Sequence, residues 1–187
     1  MAESKNNIVT HGLSGKVGDL LVFSQRNGKT IVSKVPRERT GEASEKQQAH
    51  RLKFQKAILY AKSVLADPDK KELYEGMSDK SEGKTTFNVA VADLLNAPDI
   101  ETVDLSAYTG NPGDTIRVTV TDDFGVTGVT VKIENSDGSL VEEGSAMMQG
   151  AEWIYIATVQ NTDLTGDKIT VTATDLPANL SEKTQIL

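Results

Sequence analysis

The sequence predicts an α+β protein in which an N-terminal β-hairpin with about three helices (residues 1–98) precedes an all-β sandwich (residues 99–187). Three observations predict it. Asn27-Gly28 lies between two apolar runs, a strong hairpin signal because a type I′ turn needs positive φ at both central residues. From Ser44 to Pro98, apolar side chains recur at helical spacing. Beyond Pro98 the chain turns Val-, Ile- and Thr-rich and alternating, with turn sequences such as NSDGS and NTDLTGD between the runs.

The hairpin covers residues 19–35, DLLVFSQRNGKTIVSKV. A two-residue turn at Asn27-Gly28 sets Arg26 opposite Lys29, Ser24 opposite Ile31 and Phe23 opposite Val32. Leu20, Val22, Ile31 and Val35 then share one face, and Leu21, Phe23 and Val32 the other. A two-stranded ribbon with apolar residues on both faces is not stable alone in water and needs cover from its own helices or another subunit. The segment PRERTGEASEKQQ breaks the strand pattern, with a linker-like Arg-Glu-Arg-Thr-Gly after Pro36.

Ser44 with Gln47 makes a capping-box pattern, opening a helix whose apolar stripe is Phe54, Ala57, Ile58, Ala61 and Leu65. Asp67-Pro68 caps and starts a second, shorter helix that stops near Gly76. The polar stretch SDKSEGKTT reads as a loop. A third helix carries Phe87, Ala90, Val91, Leu94 and Leu95 and closes at Pro98.

In the second half, Ile116, Val118 and Val120 share a face. So do Val129, Val131 and Ile133, then Trp153, Tyr155 and Ala157, then Ile169, Val171 and Ala173. With ETVDL, SLVEEG and EKTQIL this gives about seven strands, the number of an immunoglobulin-like sandwich, here without the Cys…Trp…Cys framework. Trp153 reads as core or sandwich edge rather than as a ligand platform.

The 187 residues contain no Cys, which excludes disulfides, thiolate metal sites and a cysteine nucleophile. Residues 1–95 hold 16 Lys and Arg against 12 Asp and Glu, whereas 96–187 hold 4 against 15, so the net charge of −7 conceals a polarised chain. Opposite ends of neighbouring copies could attract head to tail. The N-terminal stretch lacks an apolar run of signal-peptide length, so cytoplasmic synthesis without a signal peptide is expected, and a virion or other assembled particle is an equally compatible setting. No membrane span is expected.

The Gly-Lys pairs in GLSGKVG and NGKT invite a phosphate-loop reading, which spacing removes. A P-loop requires Gly, four residues, then Gly-Lys-Ser/Thr; Phe23 stands where that first glycine belongs, and Thr30 enters a strand rather than a helix. Val17 follows Gly15-Lys16 and offers no hydroxyl for Mg²⁺. His11 and His50 have no second ligand at zinc spacing. Asp114, Asp122, Asp123, Asp137 and Asp175 could gather Ca²⁺ at strand ends, but none follows the EF-hand order, and turns favour Asp regardless. No Gly-x-Ser-x-Gly elbow occurs. No cofactor is expected, and the expected work is not enzymatic.

What remains is contact. Gly12, Gly15, Gly18, Leu20, Val22, Phe23, Ile31 and Val32 form the candidate assembly interface, with the glycines either leaving the lead segment loose or admitting another backbone closely. Lys16, Arg26, Lys29, Lys34, Arg37 and Arg39 form a candidate basic contact surface. Residues 16–56 carry ten Lys and Arg against four acids, which also suits a nucleic-acid-associated protein. A third option is a glycan-binding module using Trp153 or Tyr155.

Residues 8–78 resemble an uncharacterised family associated with Bacteroidota genomes and their phages. The shared features are the Gly-Lys-Val-Gly opening, the Gly-Lys-Thr turn, the basic Pro-containing link, Gln47 or Gln48 with Arg51 and Phe54, and the Asp-Pro helical hairpin. The C-terminal part, through DGSLVEEG and DLPANLSE, is similar to immunoglobulin-like modules of bacterial and phage surface proteins. It departs from their Asp-x-x-Gly-Asn pattern by having Ala178 before Asn179. The resemblance implies a virion-like structural component that homo-oligomerises or joins a larger assembly.

Overall fold

A computed structural model describes residues 2–4, 8–26, 28–36, 41–79 and 84–187. Mixed α+β architecture with mostly β structure is observed: three helices and three four-stranded antiparallel sheets among the described residues. The chain forms two compact units, one holding the described residues up to Ala49 and the other those from His50 onward. That division falls at Ala49, whereas the composition changes at Pro98, so the helices share a unit with the Val/Ile/Thr-rich strands.

In the first unit, β1 (Ala2–Ser4), β2 (Gly15–Val17), β3 (Leu21–Arg26) and β4 (Lys29–Lys34) lie in the order β1-β4-β3-β2. The β3–β4 register pairs Arg26 with Lys29, Ser24 with Ile31 and Phe23 with Val32, as a two-residue turn requires. Gly28 has φ +72°, and Asn27 lies outside the described residues. The expected two-stranded ribbon is therefore half of a larger sheet. β1 and β2 are three residues each and too short to show alternation in the sequence.

The second unit begins within α1 (Glu45–Ala66) and continues through α2 (Pro68–Gly76) and α3 (Thr86–Leu95). The capping box at the start of α1 is reciprocal: Ser44 N donates to Gln47 Oε1 at 3.2 Å and Gln47 N to Ser44 Oγ at 3.4 Å. Asp67 caps α2 by accepting from the N–H groups of Asp69 and Lys70, with Pro68 leading the helix. Thr85 caps α3 through Asn88 N. Lys80–Gly83 of the predicted loop and residues 37–40 of the predicted link lie outside the described residues.

Packing corrects the α1 stripe. Ala57, Ala61 and Val64 are the buried residues, whereas Phe54 and Leu65 are exposed and Ile58 is half-buried. The small residues share one buried cluster with Tyr74 of α2 and Val89, Ala90 and Val91 of α3, so the buried stripe runs through the small residues of α1 rather than the largest ones.

The eight remaining strands make two sheets: β5 (Asp99–Asp104), β6 (Thr115–Thr121), β10 (Glu152–Ile156), β9 (Met147–Gln149), and β12 (Leu180–Ile186), β11 (Lys168–Asp175), β7 (Val126–Glu134), β8 (Leu140–Ser145), each given in spatial order. They enclose one core. Ile116 and Val118 meet Val129, Val131, Ile133, Ile169, Val171 and Ala173, all of which are buried, while Val120 packs on the cluster's edge. Full burial of each Val or Ile contributes about 1.5–3 kcal/mol, which makes the alternation seen in sequence the main determinant of this half. β9 was not expected; it lies just after Ala146, where the chain crosses from one sheet to the other and Ala146 N donates to Val129 O at 2.8 Å.

The opposite flank is held by side chains. Lys183 Nζ donates to the carbonyls of Ile100 (3.0 Å) and Glu101 (2.7 Å), and Ser181 Oγ to that of Pro98. Nearby, Ala178 has φ +66° and is the one non-glycine residue with positive φ among the described residues. An L-residue there costs roughly 1–2 kcal/mol. Ala178→Gly is expected to raise the unfolding free energy in urea by about 0.5–1 kcal/mol, since the greater unfolded-state freedom of glycine offsets part of the relief; a lowered midpoint would contradict this.

Candidate interaction site

The four-stranded sheet of the first unit sorts its candidate residues by register. Lys16, Val22, Arg26, Lys29 and Ile31 lie on one face; Gly15, Leu21, Phe23, Val32 and Lys34 lie on the other. Leu20 precedes β3 in a turn and is 77% exposed. Val22, Phe23, Ile31 and Val32 are half-buried. Gly12, Gly15 and Gly18 all have positive φ, and a Cβ on any of them would meet nothing within 4 Å, so the demand is on backbone conformation and not on room inside the chain.

Among the basic residues, Lys16 Nζ is 2.7 Å from Asp19 Oδ1, Arg26 and Lys34 are exposed, and Lys29 is half-buried. Arg37 and Arg39 lie outside the described residues. The structure thus brings Lys16, Arg26 and Lys29 to one face and places Lys34 on the other.

Two polar residues that sequence reasoning passed over organise this sheet. Gln25 Nε2 donates to Leu13 O at 2.7 Å and lies 2.8 Å from Thr30 Oγ1, which donates to Thr10 O at 3.1 Å. Thr30 is the one buried side chain among those described in this unit. Gln25 and Thr30 face each other across β3 and β4, so the hairpin register already made them neighbours.

The second unit contains a buried polar chain. Tyr60 OH lies 2.9 Å from Tyr74 OH, and Tyr74 OH donates to Asp93 Oδ2. A phenol has one hydrogen, so Tyr60 is the donor to Tyr74. The rings meet edge to face, with centroids 6.4 Å apart. Asp93 is 1% exposed, and its Oδ1 has no hydrogen-bond partner. Burial first, then the charges of Asp175, Asp122 and Asp123, push its carboxyl up to about 6, against a lowering contribution from the Tyr74 bond. Burial also raises Asp175 and both tyrosines.

Asn179 joins these groups. Its Nδ2 is 3.1 Å from Asp93 O, 2.9 Å from Asn96 O and 2.7 Å from Asp175 Oδ2, tying the end of α3 to the β11–β12 turn. Tyr74 and Asp93 are buried, and Tyr60 at the start of the chain of hydroxyls is half-buried.

Of the five carboxylates considered for calcium, Asp123 accepts from Asn96 Nδ2 at 3.0 Å and the other four serve their own turns. Asp114 accepts from Thr109 and Asn111, Asp122 from Phe124 N and Gly125 N, Asp137 from Ser139, and Asp175 from Asn179. Among the described residues no group of three or more His, Cys, Asp or Glu is arranged to hold a metal ion. Shallow depressions open on this unit among the described residues. One, of about 210 Å³, is lined by Asn96, Asp99, Asp122 and Asp123; another, of about 250 Å³, by Val120, Met148 and Trp153. Both are smaller than the roughly 300–1,000 Å³ of ligand clefts. Trp153 is half-buried against the core, and Tyr155 is buried in it. Among the described residues no helix is long and apolar enough to cross a membrane.

Comparison with protein-family models, with curated proteins and with solved structures finds no match to this chain.

Proposed function

We propose that this protein is a non-enzymatic structural component that assembles through its N-terminal region and displays an immunoglobulin-like module. The observation that carries the reading is the first unit's sheet. It is short of cover on both faces, Thr30 is its one buried side chain among those described, and both apolar clusters of buried residues are built from residues of the second unit. Apolar groups left half-open on both faces of a small sheet are satisfied by a neighbouring subunit.

Support for the immunoglobulin-like description comes from strand order. With β5 to β12 taken as A, B, C, C′, D, E, F and G, the sheets read A-B-E-D and G-F-C-C′, an arrangement of that type. A virion-like or other multimeric particle is the setting that the N-terminal motif implies.

Static light scattering on the full chain tests the reading. A mass well above 20.1 kDa that grows with concentration is expected. A strictly monomeric protein at high concentration would overturn it.

A further inference from the structure

The second unit holds two apolar clusters with no buried residue in common. One is the interior of the double sheet. The other is built by α1, α2 and α3, and Phe124 and Leu176 pack against it from the strand side. These two stand in the β6–β7 and β11–β12 turns, so the helix layer has a core of its own and rests on two turns of the double sheet.

The seam between layer and turns is polar and acidic. Asp93 of α3 is buried, accepts from Tyr74 OH at Oδ2 and has no partner at Oδ1. Asp122 and Asp123 bear on it from the β6–β7 turn, and Asp175 from the end of β11. Asp99, at the start of β5, lines one depression with Asp122 and Asp123. From the helix side come the hydroxyl of Tyr74 and, behind it, that of Tyr60. Lys53 Nζ reaches the last turn of α3 but is taken up by the Leu95 carbonyl at 2.8 Å. Among the described residues none of these carboxylates has an ion-pair partner. Neutral amides tie α3 to the turns. Asn179 bonds the carbonyls of Asp93 and Asn96 as well as Asp175 Oδ2, and Asn96 Nδ2 donates to Asp123 Oδ2.

Asp93 therefore has its donor on the helix side and the like charges that bear on it on the strand side. Ionised, it sets a bare buried oxygen near three other carboxylates. Parting the seam removes those like charges, admits water and keeps the Tyr74 bond, which lies within the helix layer. We propose that Asp93 is a proton-operated latch: protonated, it lets α1–α3 close on the β6–β7 and β11–β12 turns, and ionised, it loosens the layer, which opens as one body while the double sheet stays folded. Burial pushes the Asp93 carboxyl up to about 6, so the docked layer binds the proton more tightly than the open one. Acid closes the latch and neutral pH loosens it. A layer with its own apolar cluster opens as a cooperative unit, at a free energy below that of global unfolding. The device is independent of the assembly reading.

The test is amide hydrogen exchange, read by mass spectrometry on the full chain at a series of pH values and corrected for the intrinsic pH dependence of exchange. Between pH 4.5 and 7.5, peptides from α1, α2 and α3 are expected to lose protection roughly twentyfold, with most of the loss below about pH 6.5. Peptides from β7 and β11 are expected to keep theirs. Asp93→Asn, which carries no titrating group at this position, is expected to flatten the profile of the helices. Should that variant not fold, the pH series of the parent chain decides by itself. Equal losses in helices and strands would show that the unit opens as a whole, and the latch falls. A helix profile that is flat in the parent, or that keeps its slope in Asp93→Asn, also overturns it.

Discussion

Acidifying the protein from pH 7.5 to pH 4.5 is expected to stabilise its second unit by on the order of 2 kcal/mol. The group responsible is Asp93, whose carboxyl rises from the ordinary aspartate value of 3.8 to about 6 on folding. A carboxyl raised in this way binds its proton more tightly in the folded chain, so its ionisation works against folding. That penalty is absent below about pH 4, grows as pH climbs through 4 to 6, and is complete above 6. Asp175, also raised, has the same sign. Asp104, Asp114 and Asp137 are held low by hydrogen bonds within their own turns, and Glu134 by its bond from Lys132. Stability from these four is lost as pH falls below their ordinary values, 3.8 for the aspartates and 4.5 for Glu134, so only Glu134 begins to act at the acid edge of the window.

Urea unfolding at a series of pH values checks the slope, and Asp93→Asn is expected to remove most of it. Tyr74→Phe should have the opposite pattern. It strips Asp93 Oδ2 of its donor, costing about 1–3 kcal/mol at pH 7.5 and less at pH 4.5, where the carboxyl is neutral. A parent protein that loses stability between pH 7.5 and 4.5 would contradict the assignment.

Gly110→Ala is expected to cost about 3–5 kcal/mol. Gly110 has φ +87°, and a Cβ there would sit 2.3 Å from the Asn161 carbonyl oxygen and 3.2 Å from Leu164 Cδ2. Neither backbone can yield. Asn161 N donates to Gly110 O at 2.8 Å, and the buried Asn161 side chain is fixed by Asp167 Oδ2 at 2.6 Å and Tyr108 OH at 3.3 Å. Gly113→Ala separates the causes. Its φ is +97°, but a Cβ meets nothing within 4 Å, so only the conformational cost of about 1–2 kcal/mol applies. Equal losses for the two variants in chemical denaturation would show that the close approach at Gly110 is not what matters.

Legibility in the sequence followed the range of the interaction. The hairpin register was readable because one turn dipeptide dictates it, and the caps at Ser44 and Asp67 because their partners lie two or three residues away. The inward faces of β6, β7 and β11 were readable from alternation, which burial on one side imposes. Three-residue strands such as β1, β2 and β9 have no such period. The α1 stripe was misplaced toward Phe54 and Leu65 because size suggests burial, while the face that joins the buried cluster of α2 and α3 carries Ala57, Ala61 and Val64. Asp93 was detectable only as an oddity, one acid inside the apolar run VAVADLL. Its donor Tyr74 is 19 residues away and belongs to another helix, and no local pattern announces the pair. The pairing across β3 and β4 put Val22 on a face with Ile31, and Leu21 and Phe23 on a face with Val32, as the turn dictates, but it separates Lys34 from Arg26 and Lys29. Gln25 and Thr30, which fix the lead segment, look in sequence like ordinary polar strand residues.

The pinning of β5 by β12 bears on how the second unit would respond to a mechanical load. Ser181 reaches Pro98 and Lys183 reaches Ile100, so the two strands run in the same direction, and the chain enters the double sheet at the end opposite to where it leaves. Tension between α3 and Ile186 therefore acts along the strands. The seven rungs between β11 and β12, from Lys168–Ile186 to Thr174–Leu180, share that force in shear instead of parting one after another. Under such a load the unit is expected to yield by sliding of whole strands, with the paired residues of β11 and β12 loaded together.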